Sequence, residues 1–261
     1  PMSFSISGKT AIITGAADGI GLAIARHLAD RGANVMCADS NEKKLMEELG
    51  DTPDEGNIRV FAGDLRQRLT IANLVSATID AYDQVDILVN ASRQVLPTVP
   101  LDVEDGSVDT LLQQNLMTAL QLSQQVARRM IKQAEGQSEG QVGSIINLSS
   151  IAAQRHQPDM MGYAIASAAV QQMTRSLALV LAQHRIRVNA ISFGSVMSAS
   201  LRAAVAETPC LQRGVTDADL VSLVRVRANS NPNPNPNSNP NLNPNPNPNP
   251  NPSPNPNPNQ M

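Results

Sequence analysis

Apolar residues in this chain come in short unbroken runs, separated by stretches with helical spacing. AIITGA, NVMCADS, IRVFAGDL, VDILVNAS, SIINLSS and RVNAISF show little alternation, the mark of strands buried on both faces. Between them lie amphipathic segments: IGLAIARHLADRG, closed by Gly32; NEKKLMEELG; RLTIANLVSATIDAY; a long helical stretch from about Asp105 to Gln133; and a helix from Tyr163 to Gln183. Strand–helix alternation with right-handed crossovers predicts an α/β fold, a doubly wound and mostly parallel sheet flanked by helices. After the sixth strand, MSASLRAAVAE and VTDADLVSLVRVR read as two further helices, the second with a capping box at Thr216 and Asp219. No seventh strand is expected, which leaves the sixth as an exposed apolar edge.

At Asn229 the pattern stops. From there to Met261 runs an Asn-Pro repeat, interrupted by Ser238, Leu242 and Ser253. Each proline lacks a backbone N–H and drives the preceding asparagine out of helical geometry. The expectation is a globular dinucleotide-binding domain over 1–228 and a disordered tail over 229–261. The tail is either a spacer or surface-binding repeat, or an expansion or shifted reading frame with no function of its own.

Composition removes several classes of function. The net charge is −3 and no basic patch stands out, which argues against a nucleic-acid or anionic-membrane partner. No apolar run reaches the roughly 18 residues of a membrane helix. The first residues lack the pattern of a signal peptide. A cytoplasmic protein is expected. Cys37 and Cys210 form no CxxC and read as free, partly buried thiols. His27, His156 and His184 are scattered, so no metal site is expected.

The first candidate chemistry is the loop after AIIT: Thr14, Gly15, Ala16, Ala17, Asp18, Gly19, Ile20 and Gly21. Its glycines permit a tight turn and close approach of backbone to a pyrophosphate, and the helix that follows presents free N–H groups to negative charge. Asp39 ends the second predicted strand, about twenty residues on, where a carboxylate accepts the ribose hydroxyls of NAD and repels a 2′-phosphate. No Lys or Arg stands at position 40 or before the second glycine, so NADP finds no obvious cation.

The spacing TGxxxGxG resembles that of the short-chain dehydrogenase/reductase family, and the likeness runs from residue 6 to about 200. Gly63-Asp64-Leu65 is similar to the family's Asp-Leu pair, which implies Asp64 beside the adenine. Asn90 matches the first Asn of the family's NNAG motif, but Ala91, Ser92 and Arg93 replace the rest. Asn115 matches the Asn of the central helix. NLSS matches the fifth-strand motif. Of its serines, Ser150 lies thirteen residues before Tyr163, the family's separation. ISFGSVMS resembles the PGxVxT loop, with Phe193 for proline and Ser198 for threonine.

The resemblance implies hydride transfer between nicotinamide and a small secondary alcohol or ketone, with NAD as cofactor. Thr14, Gly15, Asp18, Gly19, Ile20, Gly21, Asp39, Asp64, Asn90 and Ser198 are the implied cofactor residues. Tyr163 is the implied general acid/base, Ser150 bonds the substrate oxygen, and Asn115 holds a relay water. Family members carry a lysine one helical turn after the tyrosine, on the same face. It binds the nicotinamide ribose and its charge favours the phenolate. Here that residue is Ser167. An unperturbed tyrosine ionises near pH 10, so roughly one in a thousand is phenolate at neutral pH. The expectation is weak turnover with NAD binding partly kept. The alternatives are a non-catalytic NAD-binding protein and a defective family member. Arg93, beside the expected cofactor path, is a candidate substitute charge. Arg155 and His156 are candidates for the substrate mouth. A homodimer through the long central helices is also implied.

Overall fold

The computed structural model describes residues 5–50, 56–155, 158–194 and, as backbone, 224–226. The two helices expected after the sixth strand begin outside these residues. The Asn-Pro repeat, Ser198, His156 and Cys210 also lie outside them.

The strands are β1 (Thr10–Thr14), β2 (Asn34–Asp39), β3 (Ile58–Ala62), β4 (Ile87–Asn90), β5 (Gly143–Ser150), β6 (Ile186–Phe193) and β7 (Val224–Val226). The helices are α1 (Gly19–Asp30), α2 (Glu42–Leu49), α3 (Arg68–Tyr82), α4 (Ser107–Leu111), α5 (Thr118–Gln133) and α6 (Met161–Ala182). The sheet order is β3-β2-β1-β4-β5-β6-β7. The first six strands are parallel, as the alternation predicts.

Two features differ from the sequence reading. The stretch expected as one helix from Asp105 to Gln133 contains a π-helical turn, Leu112–Met117, between α4 and α5. And the edge of β6 is not bare: β7 pairs with it antiparallel, Val226 opposite Ala190 and Val224 opposite Ser192. The three residues of β7 belong to VTDADLVSLVRVR, expected as helix. β6 offers an open row of backbone donors and acceptors, which a short segment satisfies by pairing with it.

Apolar side chains fill both faces of the sheet. Ile12, Met36, Leu88 and Ile145 pack against α3, α5 and the end of α6 through Leu74, Leu122, Met130 and Leu181. Ala11, Ile13, Val35 and Cys37 pack against α1 and α2. Alternate residues of β1 thus serve opposite layers, each bulky side chain contributing about 1.5–3 kcal/mol by burial. Strand order reverses direction between β1 and β4, and the crevice at the carboxyl ends of those two strands is where an open α/β sheet binds ligands.

Candidate active site

Backbone shapes the β1 end of this crevice. Gly15 has φ +67°, and a Cβ there would sit 2.8 Å from Ser92 Cα. A Cβ on Gly21 would strike the Gly15 carbonyl oxygen. Both positions are closed to side chains by the chain itself, so the turn into α1 lies tight against the loop after β4. Thr14 fastens the two, its Oγ1 accepting from Ala91 N at 3.1 Å and Ser92 N at 3.0 Å. Asp18 caps α1, accepting from Gly19 N at 2.7 Å, and Lys44 of α2 pairs with the same carboxylate at 2.7 Å. The cation offsets a negative charge that would otherwise repel an anion at this helix start.

The crevice has a volume of about 440 Å³, within the range of small-ligand sites. Of the sequence-predicted cofactor residues, Gly15, Asp18, Gly19, Ile20, Gly21 and Asp39 line it. Asp39 is held by two backbone donors, Ala17 N at 3.1 Å and Asn41 N at 2.9 Å. Arg66, which sequence reasoning passed over, also lines the crevice. It grips Asp64 in a fork, Nε to Oδ1 at 2.9 Å and Nη2 to Oδ2 at 2.7 Å. Arg66 side-chain and backbone hydrogen bonds hold the Asp64 carboxyl below its ordinary value. The signal for Arg66 was its place two residues after Asp64. Thr14, Asp64 and Asn90 stand behind the lining: Thr14 supports the loop, Asp64 supports Arg66, and Asn90 turns inward.

Asn90 belongs to a buried polar chain. Its Nδ2 donates to Asn147 Oδ1 at 2.7 Å and Ser123 Oγ at 3.0 Å, and Asn147 Nδ2 donates to Thr174 Oγ1 at 2.9 Å. This network ties β4, β5, α5 and α6 together, and Asn90 and Asn147 also line a small cavity with Tyr163. A satisfied network of this kind fixes one arrangement of its elements. Thr174 carries no local motif, and Asn147 was read only as the first residue of NLSS, because nothing local shows that the two side chains meet.

Of the catalytic candidates, Tyr163, Ser167 and Asn115 meet at one cavity, whereas Ser150 is not among its lining residues and Ser149 is. Tyr163 and Ser167 stand one turn apart on α6, both buried, and both line a cavity of about 20 Å³ with Asn115, Ser149 and Arg93. That space accepts about one water. Ser150 ends β5, with its Oγ accepting from Ala152 N at 3.2 Å. Ser149 points the other way, its Oγ donating to the Ser167 carbonyl at 3.0 Å. Asn115 sits in the π-helical turn. Its Oδ1 accepts from Gln94 N at 2.7 Å and its Nδ2 donates to Gln94 O at 2.8 Å. π-helical turns recur at functional sites. Here the turn aims Asn115 at the backbone of the loop after β4.

That loop carries Arg93. Its Nη1 donates to Tyr163 Oη at 2.9 Å, and its guanidinium lies 4.1 Å from the centroid of the Phe193 ring. Arg93 lines both the crevice and the small cavity. Arg155, on the loop before α6, is exposed.

Residues 9–209 match the short chain dehydrogenase family. The 2,3-dihydro-2,3-dihydroxybenzoate dehydrogenase of Bacillus subtilis is 32% identical over 191 residues, covering 73% of this chain and 70% of that protein. A 3-oxoacyl-acyl-carrier-protein reductase of Rickettsia prowazekii is 33% identical over 193 residues, covering 74% and 75%. Among solved structures, a short-chain dehydrogenase/reductase of Caenorhabditis elegans with cofactor superposes with TM-score 0.67 at 28% identity, covering 82% of this chain and 76% of that one. A 3-ketoacyl-(acyl-carrier-protein) reductase of Brucella melitensis complexed with NADH gives TM-score 0.69 at 26% identity, covering 76% and 80%. Tyrosine, glycine cradle and sheet order therefore have one source, and the chain belongs to the short-chain dehydrogenase family of oxidoreductases.

Proposed function

We propose that this protein binds NAD(H) and interconverts a small secondary alcohol and its ketone. One observation carries the reading: the Tyr163 hydroxyl accepts a hydrogen bond from Arg93, which also lines the crevice of the glycine cradle and Asp39. The residues present fit a dinucleotide, because the Gly15 and Gly21 positions admit no side chain and Asp39 is already fixed by backbone donors. The cradle and the start of α1 would hold the pyrophosphate, and Asp39 the adenosine ribose hydroxyls. When bound, the nicotinamide supplies or accepts the hydride.

In the reducing direction the substrate oxygen takes the Tyr163 proton as its carbon gains the hydride. The phenolate left behind recovers a proton from solvent. Ser150 steadies the substrate oxygen, and Asn115 holds the loop that frames the corner. Slow turnover belongs to this reading, since Ser167 adds no charge one turn after the tyrosine. The same observation favours a second reading, an NAD-binding protein without turnover.

The partner chemistry proposed is a small alcohol or carbonyl compound, in a cytoplasmic setting. Among the described residues no helix is long and apolar enough to cross a membrane. Cys37 is a buried free thiol, its ionisation pushed up to about 12 by burial. A homodimer through α5 and α6 completes the reading, with Ile165, Leu179 and Val180 exposed on α6.

Calorimetric titration with NADH and NADPH, followed by turnover on a panel of short ketones, tests it. Tighter binding of NADH with measurable reduction supports the first reading. NADH binding without reduction of any ketone selects the second. A folded chain that binds neither cofactor overturns both.

A further inference from the structure

We propose that Arg93 is the charge partner of Tyr163, stabilising its phenolate from the loop after β4 in place of the charge that Ser167 cannot supply from α6. The inference rests on Tyr163 acting as acid and base, as proposed above, but its decisive readout needs neither turnover nor cofactor.

The geometry is that of a pairing. A guanidinium has donors only and stays charged at every working pH. Its Nη1 lies 2.9 Å from Tyr163 Oη, so it fills one lone pair of the phenol and leaves the O–H free to donate. When the proton leaves, the oxygen faces a positive charge at hydrogen-bond distance, inside a site where Tyr163 is only 7% exposed. Charge-assisted bonds of this type are about twice as strong as neutral ones.

The guanidinium is held from two sides. The Phe193 ring, itself buried, lies under it at 4.1 Å. Asn115 clamps the neighbouring Gln94 backbone at both its N–H and its carbonyl. Two departures from the family's motifs, Arg93 in NNAG and Phe193 in PGxVxT, thus touch each other, and Arg93 reaches the tyrosine. They compensate a third, Ser167, which lines the same cavity.

Among the described residues that line the cavity, no other charge competes. β4 and β5 present Asn90, Asn147 and Ser149 to the cavity, the π-helical turn presents Asn115, and α6 presents Ser167. β6 brings Phe193. On the loop before α6, Arg155 and Asp159 are exposed. Among the described residues lining this cavity, Arg93 is the one charged side chain.

The chain contains two tyrosines and no tryptophan, so near-ultraviolet phenolate absorbance reports on both tyrosines directly. Burial pushes Tyr82 up to about 12, and subtraction of a Y163F trace isolates Tyr163. Full-length wild type, R93Q, R93K and F193L are titrated with alkali, with circular dichroism confirming the fold at each pH. R93Q is expected to carry roughly tenfold less Tyr163 phenolate than wild type at a given alkaline pH, or less still. R93K recovers most of the loss. F193L keeps the charge but frees the guanidinium, giving a smaller change of the same sign, and it decides the matter if R93Q does not fold. Coincident Tyr163 traces for wild type and the folded variants overturn the proposal.

NADH titrations of the same proteins separate the possibilities further. Tighter NADH binding by R93Q with an unmoved phenolate trace makes Arg93 a plug in the crevice and overturns the pairing. A moved trace in a chain that binds no NADH upholds the pairing and sinks the NAD(H) reading instead.

Discussion

At the β1 end of the crevice the backbone does the shaping. Gly15 and Gly21 leave no room for a Cβ, and the loop after β4 is stitched to Thr14 by its N–H groups. At the Tyr163 end, side chains do it: a guanidinium, an aromatic ring and an amide arriving from three separate segments. The first end keeps the family's glycines unchanged, while the second departs at 93, 167 and 193. A shape made by main chain tolerates almost no substitution, because no alternative side chain restores a lost clearance. A charge is different. It acts through space and works from any element that reaches the right atom.

The comparison breaks most visibly at Tyr163. Y163F is expected to lower turnover about 10²–10⁴-fold with NADH affinity unchanged, measured by steady-state kinetics beside calorimetry. Equal loss of binding and turnover would mean that the two ends are not separable. Next comes Asp39. D39N removes a charged acceptor, and NADH should bind about 10- to 100-fold more weakly, since hydrogen bonds to charged groups contribute roughly 1.5–3 kcal/mol. The discrimination against NADPH should shrink with it.

G21A tests the backbone end directly. Its Cβ meets the Gly15 carbonyl, and overpacking of this kind costs about 1–3 kcal/mol in urea denaturation, with NADH binding lost as the cradle opens. Wild-type stability in G21A would show that the turn yields. S167K sharpens the side-chain end. A lysine there must enter a cavity of about 20 Å³ and face Arg93, so the single substitution should destabilise by about 1–3 kcal/mol and not raise turnover. The double variant S167K/R93G removes the clash and should exceed S167K in both stability and rate.

The smallest effect lies at Asp64. Its carboxyl is held down by Arg66, so the pair contributes fully at neutral pH and is lost as pH falls through that lowered value. Arg66 is exposed and Asp64 half-buried, so solvent screens the pair and its contribution to stability is small. Carboxyl-carbon NMR of R66A should show Asp64 back at an ordinary value near 3.8.

Much of this architecture was legible in local pattern. Buried runs such as AIIT and SIINLSS, punctuated by glycine, gave the six parallel strands, because strand burial on two faces leaves its mark residue by residue. The cradle was legible for the same reason: Gly15, Gly19 and Gly21 lie within one turn of chain. The pairing of Arg93 with Tyr163 spans 70 residues and was open only as a candidate, since nothing local aims a loop side chain. Phe193 read as a substitution in a motif, and its role as a platform emerged only with the register of β6. β7 was missed because three residues are too few to show a period. The π-helical turn was missed because its apolar spacing differs from an α-helix by one residue.

That single extra residue has a genetic consequence. A π-helical turn is an α-helix with one residue inserted. Deleting one codon between Leu112 and Met117 would let α4 run straight into α5 without breaking either helix. The wide turn absorbs its extra residue locally, so the helices on either side would keep the faces they bury and only the residues of the turn itself would shift. Asn115 would swing off Gln94, and the loop bearing Arg93 would lose its tether while the rest of the fold stayed intact. An in-frame three-nucleotide loss, invisible to a stability screen, would therefore present as a catalytic mutation at a residue that had not been changed.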